Sequence, residues 1–160
     1  MNPSYFRIKD NMENAINRLE IWNRQPIKER IETGYDDAVD NALDKNGQWK
    51  GACLYVYENT GWTVFEDLTG TYADIEASKW LEFAGKDGFV YAGYNDAIPY
   101  GEIIVISDGI ILKDFGEDQT DPNFYHNSGE KYHDIKDWTD VAAFIDNDEV
   151  VYSDTGILIY

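Results

Sequence analysis

One cysteine, four prolines, two histidines and, beyond residue 30, no arginine at all: the scarcities of this 160-residue chain narrow its possible roles before any motif is read. The lone thiol, Cys53, excludes an internal disulfide and fits a reducing compartment. No run of 18 apolar residues occurs, so no membrane-spanning helix is expected. The opening stretch MNPSYFRIKDN lacks the apolar core of a signal peptide, and a cytoplasmic protein is the expectation. Basic residues are few. Residues 1–50 hold eight Lys/Arg against nine Asp/Glu, whereas residues 51–160 hold five lysines against 22 acids. Nucleic-acid binding requires cations that displace phosphate counterions, so a chain of net charge −18 is not expected to bind it directly. An anionic membrane surface is disfavoured for the same reason. A basic protein partner would be attracted, and the alternative is that the acid confers solubility alone.

What is present is apolar and aromatic: 43% of residues are apolar and 15% aromatic, enough for a globular core. The stretch 88–115, GFVYAGYNDAIPYGEIIVISDGIILKDF, organises the rest. Phe89–Ala92, Ile103–Ile106 and Ile110–Leu112 are short β-branched or aromatic runs bounded by Gly, Asp or Asn. Asp108-Gly109 suits a two-residue turn with positive φ at both positions. Residues 102–107 and 110–115 therefore read as an antiparallel hairpin, with 88–93 a neighbouring strand. Consecutive apolar positions imply strands covered on both faces.

Upstream, Asn2-Pro3 reads as a helix start, and Tyr5, Ile8, Met12, Ala15, Leu19 and Trp22 recur at spacings of three and four. Ile27, Ile31, Tyr35, Ala38, Val39, Ala42 and Leu43 form a second such face, weakened by Gly34 and closed by Asn46-Gly47. The two together predict a helical hairpin over 1–46. Runs 52–58 and 61–67 predict a β-hairpin around Asn59-Thr60-Gly61. A helix is expected within 74–85, ended by Gly85. Residues 116–134 are polar and read as a long loop, functional or mobile. Asp137 is placed to cap a last helix carrying Trp138, Val141, Ala142 and Ile145. Val150–Tyr152 and Ile157–Tyr160 read as a closing hairpin, its last strand paired into the sheet. The expected architecture is α+β: one domain over 1–160, with an N-terminal helical hairpin (1–46) attached to an acidic sheet region (50–160). Its mainly antiparallel sheet has about six or seven strands, with helices packed against it.

Catalytic signatures are absent. No GxSxG, Walker loop or GxGxxG occurs, and Asp114-Phe115-Gly116 stands without the loops that accompany the kinase triplet. Glu66 and Asp67 are adjacent, so on a strand they face opposite ways and cannot act as an acid/base pair. His126 and His133 lack a third firm ligand for a metal, and Asp114, Glu117, Asp118 and Asp121 lack the calcium-loop pattern. Cys53 has no basic neighbour to activate it. No cofactor is expected. The segment 91–101, YAGYNDAIPYG, joins tyrosines to Asn95 and Asp96, a composition suited to protein contact. A tyrosine-rich turn packed on its own domain is the plainer alternative.

GWTVFEDLTG (61–70), WLEFA (80–84), FVYAGYNDAIPYGEIIVISDG (89–109) and WTDVAAFID (138–146) resemble the small acidic α+β immunity proteins of bacterial polymorphic-toxin and contact-dependent inhibition systems. The likeness covers residues 50–160. It implies a non-enzymatic cytoplasmic protein that binds and neutralises a toxin domain, often a nuclease. It carries no specific binding residues. From the residues themselves, Tyr94, Asp96, Tyr100, Asp114, Glu117, Asp118 and Asp121 are expected to form or border the face that meets a basic protein partner. A regulatory interaction domain without a toxin, and an enzyme using carboxylates in a cleft, are the alternatives.

Overall fold

The structure is a computed structural model, and it describes residues 4–147 and 153–160. Its elements run β1 (Ser4–Ile8), α1 (Met12–Asn23), β2 (Arg30–Thr33), α2 (Tyr35–Ala42), β3 (Leu54–Asn59), β4 (Trp62–Asp67), α3 (Ala77–Ala84), β5 (Phe89–Asn95), β6 (Tyr100–Ser107), β7 (Ile110–Asp118), β8 (Tyr125–Ser128), α4 (Trp138–Asn147) and β9 (Gly156–Ile159). All described strands join one sheet of nine in the order β2-β9-β3-β4-β1-β5-β6-β7-β8. Every pairing is antiparallel.

The sheet is buried on both faces, which explains the unbroken apolar runs in its central strands. On one face Phe6, Ile8, Val56, Phe65, Phe89 and Ile104 pack with Ile16 and Leu19 of α1 and Trp80 and Phe83 of α3. On the other, Tyr55, Tyr57, Val64, Val90, Ile103 and Phe115 pack with Ala38 and Ala42 of α2 and Val141 of α4. The first core is built of aromatics. Trp80 is fully buried, with ring centroids 4.9 Å from Phe6, 4.9 Å from Phe89 and 4.8 Å from Trp22. Such pairs add about 0.5–1.5 kcal/mol each beyond the area they bury. Arg18 ties α1 to the end of α3. Its guanidinium donates to the Phe83 and Ala84 carbonyls at 3.2 and 2.9 Å and to Asp10 and Asp87 at 3.2 and 2.6 Å.

The expected N-terminal helical hairpin is corrected in both arms. Residues 4–8 form β1, the middle strand of the sheet. Phe6 and Ile8 belong to one core and Tyr5 to the other, so the segment alternates between two buried faces. The three-and-four spacing ran through it by coincidence. The helix begins at Met12, where Asn11 Oδ1 accepts the Asn14 N–H at 2.9 Å. The Asn2-Pro3 start lies outside the described residues. The second arm divides at Gly34, whose ideal Cβ would come within 3.2 Å of the Asp154 carbonyl. Before it, Arg30–Thr33 pair with β9; after it, α2 is only eight residues long.

The sheet also exceeds the six or seven strands expected. Strands β1 and β2 come from the supposed helices. Strand β8 comes from the supposed loop 116–134, whose first residues continue β7. Strand β8 escaped notice because all four of its residues are exposed. The tight turns are where the residues placed them. Thr60 and Gly61 have φ of 50° and 83°, and Asp108 and Gly109 of 54° and 75°. Asp137 Oδ1 accepts the Thr139 and Asp140 N–H groups at 2.8 and 3.1 Å at the start of α4. The final strand is paired on both edges, with β3 and β2. The other arm of the closing hairpin, 150–152, lies outside the described residues.

Candidate functional site

Two connections meet at one end of the sheet. The β5–β6 turn is shaped by Asn95, whose Oδ1 accepts the Ala97 and Ile98 N–H groups at 2.9 and 3.1 Å. The β7–β8 connection is shaped by Asp118, whose Oδ1 accepts the Thr120 N–H and hydroxyl at 2.8 and 2.6 Å, and by Asp121, which accepts the Asn123 N–H at 3.0 Å. The Thr120 hydroxyl and N–H hold the Asp118 carboxyl below the usual carboxylate range. The Gln119 N–H then donates to the Pro99 carbonyl at 2.9 Å, joining the two connections. Tyr100 stacks on Phe124 at 5.9 Å, and Phe124 meets the edge of His126 at 5.7 Å. His126 Nε2 lies 2.8 Å from Asp114 Oδ1. Its ring covers Gly116, where a Cβ would come within 2.5 Å of it, so a side chain there would expel the imidazole.

Strand register sorts the expected contact residues. Tyr100 lies opposite Asp118, and Ile104 opposite Asp114, so these acids share the face of the aromatic core. Glu117 lies opposite Gly101, on the other face, and its Oε2 accepts the Trp138 N–H at 2.7 Å. Its carboxylate is thus engaged at the first turn of α4. Asp96 and Asp121 are exposed and Tyr94 and Tyr100 half-buried, and Tyr94, opposite Gly101, lies on the face of Glu117 rather than that of Tyr100. Ile98, 49% exposed at the tip of the β5–β6 turn, was not anticipated; an apolar residue inside a turn reads as punctuation rather than as surface.

Behind this end, a pocket of about 270 Å³ opens between β1, β5 and the segment after β4, with Ser4, Asp67, Thr69, Ala73, Tyr91 and Tyr100 among its walls. Asp67, 4% exposed, accepts the Tyr72 N–H at 2.8 Å and the Thr69 N–H and hydroxyl at 3.1 and 3.2 Å. Glu102, 3% exposed, accepts the Asp74 N–H at 2.9 Å. Asp74 reaches it from a left-handed conformation, φ 57°. Burial raises the Glu102 carboxyl above its ordinary range, and the Tyr100 hydroxyl and the Asp74 N–H oppose the shift. Burial likewise raises the Tyr91 and Tyr100 phenols, with the Glu102 charge adding to it. The Tyr91 hydroxyl lies 3.3 Å from Ser4 Oγ, while that of Tyr100, close to Glu102, is buried without a well-formed hydrogen bond. Sequence reading passed over Glu102, although it is the one charge inside the run Gly101–Ile106. It passed over Asp67 as a site residue because its partners are backbone groups of the next turn.

The chain has no significant match among known protein families, curated proteins or solved structures. The residues themselves therefore carry the functional argument. Among the described residues, no group of three or more His, Cys, Asp or Glu could hold a metal ion, and no helix is long and apolar enough to cross a membrane. Glu66 and Asp67 do face opposite ways: Glu66 accepts the Tyr57 hydroxyl at 2.9 Å within the second core, away from the pocket. Cys53 is fully buried, and burial raises its thiol above the ordinary value. Lys113 is 2% exposed, and burial lowers its ammonium below the usual range. Its Nζ donates to Asn127 Oδ1 at 2.6 Å, which pins β8 to β7.

Proposed function

We propose that this protein is a non-enzymatic immunity protein, which binds a basic bacterial toxin domain and blocks it by occupying its cationic surface. One observation carries this reading. The β5–β6 turn and the β7–β8 connection converge where the Gln119 N–H meets the Pro99 carbonyl, gathering the exposed acids Asp96 and Asp121, the exposed Ile98 and the ring of Tyr100 stacked on Phe124 at one end of the sheet. An apolar and aromatic centre rimmed by charge is the composition of a protein-binding face. The arginines fit the same picture. Arg18 and Arg30 pair with carboxylates of their own chain, and Arg7 lies 4.6 Å over the Trp62 ring. Net negative charge is thereby left to the surface. A nuclease cleft is basic because it holds phosphates, so charge would steer the two together.

The pocket beside this face is where an enzymatic reading would begin, since behind its Tyr91 and Tyr100 walls lies Glu102, a buried carboxylate with a raised pKa. Both Asp67 and Glu102 are held by backbone N–H groups of residues 69–74, which supports a positioning role over proton transfer.

Co-expression supplies the test. The chain should restore growth to cells making the toxin domain encoded beside it. Asp96→Lys with Asp121→Lys should slow association with that domain about tenfold or more at low salt and flatten its salt dependence. Unchanged association would remove this face from the proposal. Failure to protect against any neighbouring toxin would remove the immunity reading and leave a regulatory interaction domain.

A further inference from the structure

We infer that the pocket between β1, β5 and the segment 67–73 takes the guanidinium of an arginine side chain presented by the partner. The inference rests on the binding reading above and names what its anchor would be. Two buried carboxylates, Asp67 and Glu102, stand at or behind the pocket, yet among the described residues neither forms an ion pair with a lysine or arginine. Buried charge is ordinarily paired or bound to metal, and no metal-holding cluster occurs among the described residues. The cation proposed to pair with them is an organic one supplied by the partner.

The walls choose among organic cations. Half-buried Tyr100 offers aromatic surface, against which a flat delocalised cation stacks better than an ammonium. The acceptors are scattered: the Asp67 carboxylate, already holding two N–H groups and a hydroxyl but with lone pairs to spare, and the Tyr91 and Tyr100 hydroxyls. A five-donor fork reaches several of these at once; a point charge does not. The Tyr100 hydroxyl, buried beside Glu102 without a well-formed hydrogen bond, gains a donor when the pocket fills. An anionic ligand would meet Asp67 with no basic residue among the lining groups to offset it.

The test uses the full chain labelled with ¹⁵N and three probes at equal ionic strength: the blocked amides of arginine, lysine and glutamine. Blocked arginine should shift the Thr69, Gly70, Gly93 and Asn95 amides saturably, in the millimolar range. Blocked lysine should bind several-fold more weakly and glutamine not at all. Asp67→Asn should weaken arginine binding about tenfold. Because that change also touches the Thr69 and Tyr72 bonds, a second variant, Ala73→Phe, fills the pocket from its half-buried rim and should abolish the shifts with the fold retained by circular dichroism. Equal, non-saturating shifts from arginine and lysine across the acidic surface would overturn the inference, as would arginine binding untouched by Ala73→Phe. Toxin neutralisation that survives Ala73→Phe but is lost on charge reversal at Asp96 and Asp121 would sink the pocket and keep the immunity reading.

Discussion

Glu102 shows how one side chain records a conflict between packing and charge. It sits in a strand whose neighbours are apolar, opposite Gly93 on β5 and Gly116 on β7, and reaches water with 3% of its surface. Its folded pKa lies above its unfolded value, so the folded state holds the proton more tightly. The stability it contributes is therefore full below the ordinary carboxylate range and is lost as pH rises through its raised folded value. Replacing it with glutamine keeps an oxygen for the Asp74 N–H and removes the buried charge. Glu102→Gln should raise the melting temperature at pH 7 by roughly 2–4 °C, corresponding to about 1 kcal/mol, and leave it unchanged at pH 4. Thermal unfolding of both proteins at the two pH values checks this. Asp118 and Asp137, whose hydroxyl and N–H partners lower their pKa values, act in the opposite sense and are lost as pH falls. They are common to both proteins and cancel in the difference.

Among the elements, β1 matters most. It pairs with β4 on one edge and β5 on the other, so it joins the hairpin β3–β4 to the meander β5–β6–β7. Phe6 places its ring 4.7 Å from Phe65 and 4.9 Å from Trp80, touching both halves of the core. Phe6→Ala should cost about 3–5 kcal/mol, a large share of a typical domain's stability. Urea unfolding followed by tryptophan fluorescence and by far-ultraviolet dichroism should show one shared, shifted midpoint. Two separate transitions would mean that the halves fold apart. This strand was the hardest to read from sequence. Its five residues bury two faces, and a helical spacing runs into them from the true helix after Asn11. Strand β8 failed for the opposite reason, having no buried residue to mark it. By contrast, Asp108-Gly109, Gly85 and Asp137 were legible because their roles are local: a positive φ, a helix end and a cap depend on a few neighbouring atoms.

Over the whole molecule, 31 acidic residues against 13 basic ones set two opposed responses to salt. Self-repulsion lowers the stability of the compact state, and steering speeds its encounter with a cation. Raising ionic strength from about 0.01 M to about 0.15 M shortens the screening length from about 30 Å to about 8 Å. The melting temperature of the free protein should rise by a few degrees over that range, while its association rate with a basic partner should fall. Calorimetry and stopped-flow mixing measure the two. A melting temperature that falls with salt would mean that internal ion pairs, such as those of Arg18 and Arg30, outweigh the repulsion.

The residues alone determined the charge, the tight hairpin turns, the Gly85 end of α3, the Asp137 cap of α4, the apolar central strands and the antiparallel α+β class, because each depends on composition or on neighbours a few positions apart. Tertiary structure decided that the N-terminal segment runs through the middle of the sheet, that Glu117 serves α4, and that Tyr100 and Asp67 wall one pocket with Glu102 behind it. Those outcomes depend on strand register between segments far apart in the chain, as in the pairing of Ser4 with Gly93 or of Arg30 with Ile159, and no local pattern encodes that distance.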